Sequence, residues 1–314
     1  MRPLDQVRLR ALMARGPGKP EIAVGLVDGG VALDHPDLVG QPVRLLGPAG
    51  ETSSSSGTRQ HGSGARRHGT FVAGMLAAGR SAATPGICPG CTLLVRPVAG
   101  VDAPPAAPSE LATGLNEVID AGARVVNLSL TLRELHAPHL RDPHRAHEGP
   151  GGADIGSPAA LVDALDRAGS LGVVVVVAAG NEGLVGGGSV IVRHPYGIPV
   201  VAYDRRGRPL PSSNVGPGIG RRGLGAPGEN IEGLGVTGPG ADDCGTATMS
   251  GTSAAAPFVT GTVALLWSLF PRASAAEVRY AVTRPLVRRS VVPPLLDAAA
   301  ARRALTALRA TDSR

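Results

Sequence analysis

Apolar positions fall in blocks along the chain, and the blocks alternate between two periods. Residues 22–27 ("IAVGLV"), 92–98, 125–130, 173–178 and 198–202 are short, nearly continuous apolar runs, the pattern of strands buried on both faces. Between and after them the spacing turns helical. Near His68, the residues Phe71, Val72, Met75 and Leu76 share one face, and the same period predicts helices at 109–121, 158–171, 253–270, 275–282 and 297–308. A loop rich in Ser, Gly and Arg fills 46–67. Strands alternating with helices predict an α/β fold, a mostly parallel central sheet with helices on both faces. With no internal repeat and no linker, residues 21–314 read as a single domain behind a short N-terminal extension, 1–20.

Composition narrows the function classes. Of the 31 basic residues only Lys19 is a lysine, and the net charge of +6 is scattered in pairs such as Arg66-Arg67 and Arg221-Arg222. No basic stripe interleaved with aromatics appears, so nucleic acid is not an expected partner. The first twenty residues carry charges throughout and lack the apolar centre of a secretory signal. The longest apolar run, 173–179, is far too short to span a membrane. Three cysteines do not make a disulfide framework. A cytoplasmic protein with no membrane partner is the expectation.

Candidate chemistry gathers at element boundaries, where parallel sheets form their sites. Asp28 ends the first strand, His68 and Ser253 open helices, and Asn181 follows the 173–178 strand. Alone, each has a plainer reading: an Asp before Gly-Gly is a turn residue, and a His or Ser at a helix start is a cap. "VDGG" also suggests a nucleotide-binding turn, but the G-x-G-x-x-G spacing is missing. Together the four supply a nucleophile, a base, an orienter for the base and an amide donor for an oxyanion, the set that acyl transfer needs.

The blocks around these residues carry a resemblance. "GLVDGGVALDHPDL" around Asp28, "HGTFVAG" around His68, "AAGNEG" around Asn181 and "SGTSAAAPFVTG" around Ser253 resemble the signature blocks of the subtilisin-like serine proteases, in that family's order. "VVNLSL", "SSNVG", "GAPGENI" and "LLDAAAA" match as well, so the likeness covers roughly residues 20–305. It implies a subtilisin-like three-layer fold in which Ser253 attacks the scissile carbonyl and His68 takes its proton. Asp28 then orients the imidazole, and the Asn181 amide and the Ser253 N–H bind the oxyanion. It implies substrate-binding positions at Ser129, Leu130 and Thr131 on one wall of the cleft and at Gly180, Glu182 and Arg193 on the other. "ICPGCTLLVRP" is similar to the proteases that mature ribosomal peptides, the cyanobactin type included.

Departures from the family pattern shape the remaining expectations. Pro104, Pro105 and Pro108 lie in the edge segment where a substrate strand would pair, and they lack N–H donors. Side chains replace the usual glycines after Ser129-Leu130, at Thr131 and Leu132. Both changes imply a narrow substrate range. "AGRSAATPG" holds no carboxylate where secreted members carry a calcium loop, so no metal and no cofactor is expected there. The stretch 133–157 brings four histidines, His136, His139, His144 and His147, into a segment rich in Pro and Gly, which reads as a lid that could also hold a metal. "CPGC" suits a redox pair or half of a zinc site; with no second C-x-x-C, buried thiols or a local disulfide are expected. The resemblance puts Arg193 at the floor of the S1 pocket, where it would offer a forked donor to a P1 carboxylate unless Glu182 on the rim pairs with it; a solvated arginine pointing away from the pocket is the alternative.

The reading is a serine endopeptidase that acts through an acyl-enzyme on a restricted peptide or precursor substrate inside the cell. A peptide cyclase or transpeptidase using the same acyl-enzyme is an alternative, as is a catalytically silent peptide-binding module. The sequence leaves the oligomeric state open.

Overall fold

The computed structural model describes residues 2–47, 63–98, 106–130, 158–186, 188–236, 244–284 and 290–311. Thr131, the prolines at 104 and 105 and the four-histidine stretch 133–157 lie outside the described residues.

Seven strands form a parallel sheet: β1 (Ala23–Asp28), β2 (Val43–Leu45), β3 (Thr92–Pro97), β4 (Ala123–Leu128), β5 (Val174–Ala178), β6 (Gly197–Tyr203) and β7 (Leu224–Pro227), in the spatial order β2-β3-β1-β4-β5-β6-β7. A separate antiparallel hairpin joins β8 (Ile231–Val236) to β9 (Cys244–Met249). The helices are α1 (Pro3–Gln6), α2 (Arg10–Met13), α3 (Ser63–Ala77), α4 (Pro108–Asp120), α5 (Ala159–Ser170), α6 (Val190–Arg193), α7 (Pro217–Arg222), α8 (Thr252–Leu269), α9 (Ala275–Thr283) and α10 (Ala298–Thr311).

The pleat divides the core in two. Val174 and Val176 of β5 face one hydrophobic cluster, and Val175 and Val177 face the other. The first cluster holds α3 and α8; the second holds α4 and α5. Helix α8 runs through the first with residues 252–268 all buried, which explains its apolar character on every side. Each fully buried Leu or Val along it contributes about 1.5–3 kcal/mol relative to exposure. The same parity sets the chemistry. Asp28 shares the face of Val24 and Leu26, toward α3, and Asn127 shares the face of Val125, toward α8.

After β1 the chain turns toward the β2 edge, and after β4 it turns toward β7, so β1 and β4 part at their carboxyl ends. That switch point is where a crevice opens in such sheets. Leu128 is in register with Val27 on one side and Val177 on the other, so the ends of β1, β4 and β5 reach one rim together.

The expected strands and helices are present within one or two residues at most ends, but several elements are additional. Edge strands β2 and β7 are too short to show a period, and the β8–β9 hairpin is rich in Gly and Thr. Helix α3 starts at Ser63, so His68 stands in its second turn rather than opening it. "SGARR" has loop-like composition, and docking against the β1 turn overrides that propensity. Within the N-terminal stretch, Val7, Leu9 and Leu12 are buried in the first cluster beside α8, so these residues form part of the body of the fold.

Candidate active site

Asp28 is the last residue of β1 and fully buried. Its Oδ1 accepts from the Gly29 N–H at 2.7 Å and from His68 Nδ1 at 2.6 Å. Burial by itself lowers the His68 pKa, but the charge and hydrogen bond of Asp28 outweigh it and hold the imidazole above its ordinary 6.5. Nδ1 carries the proton in this bond because an ionised carboxylate only accepts, so in the neutral ring Nε2 is left as a base.

The close approach that makes this pair depends on two glycines. A Cβ on Gly29 would lie 2.1 Å from the Ala65 carbonyl oxygen, and one on Gly69 would lie 2.3 Å from the Gly29 oxygen. Helix α3 therefore rests backbone to backbone on the turn after Asp28. Asp28 Oδ2 has no hydrogen-bond partner among the described residues.

Ser253 is the second residue of α8 and 9% exposed. Gly251 precedes the helix with φ +123°, a left-handed conformation that an L side chain resists. The Ser253 N–H belongs to the first helical turn, whose donors lack intrahelical acceptors and whose dipole favours negative charge. Its Oγ donates to the Ser129 carbonyl at 2.7 Å. Among the described residues no hydrogen bond joins Ser253 to His68.

Ser129 answers with its own hydroxyl, which donates to the Ser253 carbonyl at 3.2 Å. Four residues on, Pro257 has no N–H, so that carbonyl has no donor from its own helix. Ser129 supplies one. Asn127 Nδ2 in turn donates to Ser129 Oγ at 2.7 Å, and Thr260 Oγ1 donates to Asn127 Oδ1 at 2.8 Å. The buried chain Thr260–Asn127–Ser129–Ser253 thus ties the end of β4 to the first turns of α8.

Asn181 is exposed, and its Oδ1 accepts from the Thr252 N–H at 2.9 Å and from Thr252 Oγ1 at 3.1 Å. A backbone N–H can only donate, so this bond fixes which end of the amide is oxygen. Nδ2 is the end directed away from Thr252. The anchoring residue is also the first residue of α8, so the Asn181 amide and the Ser253 N–H are held by adjoining groups.

The neighbouring positions are less uniform. Ser129 and Leu130 are buried at the end of β4. Gly180 donates its N–H to Thr252 Oγ1 at 3.3 Å. Glu182 is held by Asn214, whose Nδ2 donates to Oε2 at 2.5 Å. Arg193 ends α6 as an exposed residue, and its carbonyl accepts from Arg222 at 3.0 Å. Asp28 and His68 are joined, as are Ser253 and Ser129, while Asn181 reaches α8 through Thr252.

Sequence reasoning missed Thr252, Pro257, Asn127 and Thr260. The proline was visible four residues after Ser253, and that spacing marks a carbonyl in want of a donor.

Comparison with known proteins gives the same direction. The profile of the subtilase family matches residues 19–297. Subtilisin NAT of Bacillus subtilis subsp. natto is 31% identical over 282 residues, covering 88% of this chain and 63% of that protein. The chain therefore spans under two thirds of the length of the first curated relatives it matches. Among solved structures, the prenylagaramide maturation protease PagA superimposes with TM-score 0.75 at 26% identity, over 95% of this chain and 98% of that one. The patellamide maturation protease PatA gives 0.70 at 29% identity, over 92% and 98%. With a family match across most of its length, the chain belongs to the subtilase family.

Proposed function

We propose that the protein is a serine endopeptidase that cleaves a peptide or precursor-peptide substrate through an acyl-enzyme. The observation that carries this reading is the 2.6 Å bond from His68 to buried Asp28, on the rim where Ser253 begins α8. Ser253 Oγ turns from the Ser129 carbonyl toward His68 Nε2, gives up its proton there and attacks the scissile carbonyl carbon. Negative charge then develops on the carbonyl oxygen, where Asn181 Nδ2 and the Ser253 N–H donate to it. The imidazolium, stabilised by Asp28, returns its proton to the leaving amine. Water then takes the amine's place: it gives a proton to His68 Nε2 as it attacks the ester carbonyl, and the imidazolium returns that proton to Ser253 Oγ as the acyl group leaves as a free acid.

The likeness to PatA and PagA, both named as maturation proteases, supports a precursor peptide as substrate. The buried free thiols Cys88 and Cys91 suit a reducing, cytoplasmic setting. The test is incubation with candidate precursor peptides and mass analysis of the products. Linear fragments with new free carboxylates are expected, and Ser253→Ala should abolish them. Fragments that persist in Ser253→Ala would overturn the reading, and cyclic products would assign the acyl-enzyme to aminolysis instead.

A further inference from the structure

Cys88 and Cys91 take no part in the chemistry above. They are the two ends of the "CPGC" turn that leads into β3, and both are buried thiols. The Cys91 N–H donates to the Cys88 carbonyl at 2.9 Å, the bond that closes a β-turn. Such a turn brings its end Cα atoms within about 7 Å, and a disulfide spans about 4.4–6.8 Å. The two side chains are close enough to shift each other's titration, one up and the other down.

The two sulfurs differ in what surrounds them. Cys91 Sγ lies 3.6 Å from Ser268 Oγ, and the Lys19 N–H donates to that same hydroxyl at 3.1 Å. The Ser268 proton has a second acceptor, the Ala264 carbonyl at 2.9 Å, so it can turn to sulfur as the sulfur gains charge. Gly18 closes over the same atom, since a Cβ there would stand 2.4 Å from Cys91 Sγ. The neighbouring Cys88 thiol first, then the Ser268 hydroxyl and the Lys19 N–H, outweigh burial and bring Cys91 down to about 7. Cys88 goes the other way: the neighbouring Cys91 and its own burial raise it well above the ordinary thiol.

Gly18, Lys19 and Ser268 also line a cavity of about 60 Å³ between the N-terminal stretch and the end of α8; Cys91 Sγ, itself buried, lies behind Gly18 and Ser268 and outside that lining. About 10–15 Å³ of such volume holds one water, so the cavity admits a water-sized molecule and excludes a bulky disulfide.

We propose that Cys91 and Cys88 form a peroxide-reactive dithiol, with Cys91 attacking a hydrogen peroxide molecule that reaches it from this cavity past Gly18 and Ser268, and Cys88 resolving the product. The Cys91 thiolate forms a bond to one peroxide oxygen, the O–O bond breaks, and the other oxygen leaves as hydroxide. Hydroxide takes up the proton that Cys91 had released and becomes water. Sulfur has lost two electrons to give a sulfenic acid, and peroxide has gained them. The Cys88 sulfur then attacks Cys91 Sγ, the S–O bond breaks, and hydroxide leaves with the Cys88 proton as a second water. Two thiols and one peroxide give one disulfide and two waters.

Trypsin should release both cysteines in one peptide, residues 81–124, because Pro97 blocks cleavage after Arg96. The folded full chain is exposed to hydrogen peroxide for graded times, quenched in acid, alkylated with N-ethylmaleimide under denaturing conditions and digested. The expected result is a peptide about 2 Da lighter than the dithiol, free of label, formed before Cys244 is oxidised. Cys88→Ser should leave a sulfenic acid at Cys91 that dimedone traps, and Cys91→Ser should leave Cys88 unoxidised over the same times. Oxidation of Cys244 while both turn cysteines still take the label would overturn the proposal. So would a dimedone adduct on Cys88 in Cys91→Ser.

Discussion

Ser253 and Ser129 hold each other by two hydrogen bonds in opposite senses: Ser253 Oγ donates to the Ser129 carbonyl at 2.7 Å, and Ser129 Oγ donates to the Ser253 carbonyl at 3.2 Å. The first keeps the hydroxyl of Ser253 on the end of β4 until a substrate arrives. The second replaces a helical bond that Pro257 cannot make. Ser129→Ala removes only the second and leaves the Ser253 carbonyl and the Asn127 amide short of partners in a buried place. A loss of about 1–3 kcal/mol in urea unfolding is expected.

Pro257 and Ser129 should be coupled through that carbonyl. Pro257→Ala restores an N–H four residues after Ser253, so Ser129→Ala should cost less in that background than alone. A double-mutant cycle measured by denaturant unfolding should show a coupling of about 0.5–3 kcal/mol. Additive effects would mean that the proline and the serine do not share the Ser253 carbonyl.

The Asn181 amide is set by Thr252, whose N–H and hydroxyl both reach Oδ1. Asn181→Ala should lower kcat by about 100–1,000-fold with KM little changed, the signature of a bond made in the transition state. Thr252→Val keeps shape and the N–H but loses the hydroxyl. A smaller drop in kcat, again without a change in KM, is the expected steady-state result.

Activity should fall on the acid side as His68 takes a proton. Asp28 raises the imidazole pKa, so the inactive, protonated form persists to a higher pH than an ordinary histidine would allow. The acid limb of kcat/KM should therefore lie above 6.5. In Asp28→Asn the raising charge is gone while burial remains, so the limb should move to lower pH as the rate falls. A limb that stays in place would assign the titration to another group.

Removing divalent ions should leave stability alone. "AGRSAATPG" after α3 offers no carboxylate, so a chelator should leave the Tm within a degree or two. A fall of about 10 °C would reveal a tightly bound ion.

Much of this site is legible in the sequence, for a physical reason. Asp28, His68, Asn181 and Ser253 each adjoin glycine or small residues, because backbones must approach closely where these elements meet. Gly29, Gly69 and Gly251 make those approaches in the structure. The strands are legible because burial on both faces writes them as unbroken runs of Val, Leu and Ile. Short edge elements such as β2 and β7 bury too little to leave such a trace. The Ser129–Ser253 clasp was hidden for another reason: it joins residues 124 positions apart, and only the pleat of β4 shows that Asn127 and Ser129 face α8. Arg193 is a loop position carried over by resemblance alone, with no pattern of its own in the sequence. It stands exposed at the end of α6, and Glu182, expected on the rim, accepts from Asn214.

Whether Ser253 is an activated nucleophile can be measured without knowing the substrate. A fluorophosphonate reacts with a serine whose hydroxyl a neighbouring base deprotonates, and intact-mass analysis followed by digestion locates the adduct. The predicted result is one adduct, on Ser253, lost in Ser253→Ala and reduced by several orders of magnitude in rate in His68→Ala. A folded wild-type protein that takes no label at Ser253, or takes it equally fast without His68, would contradict the catalytic role assigned to this site.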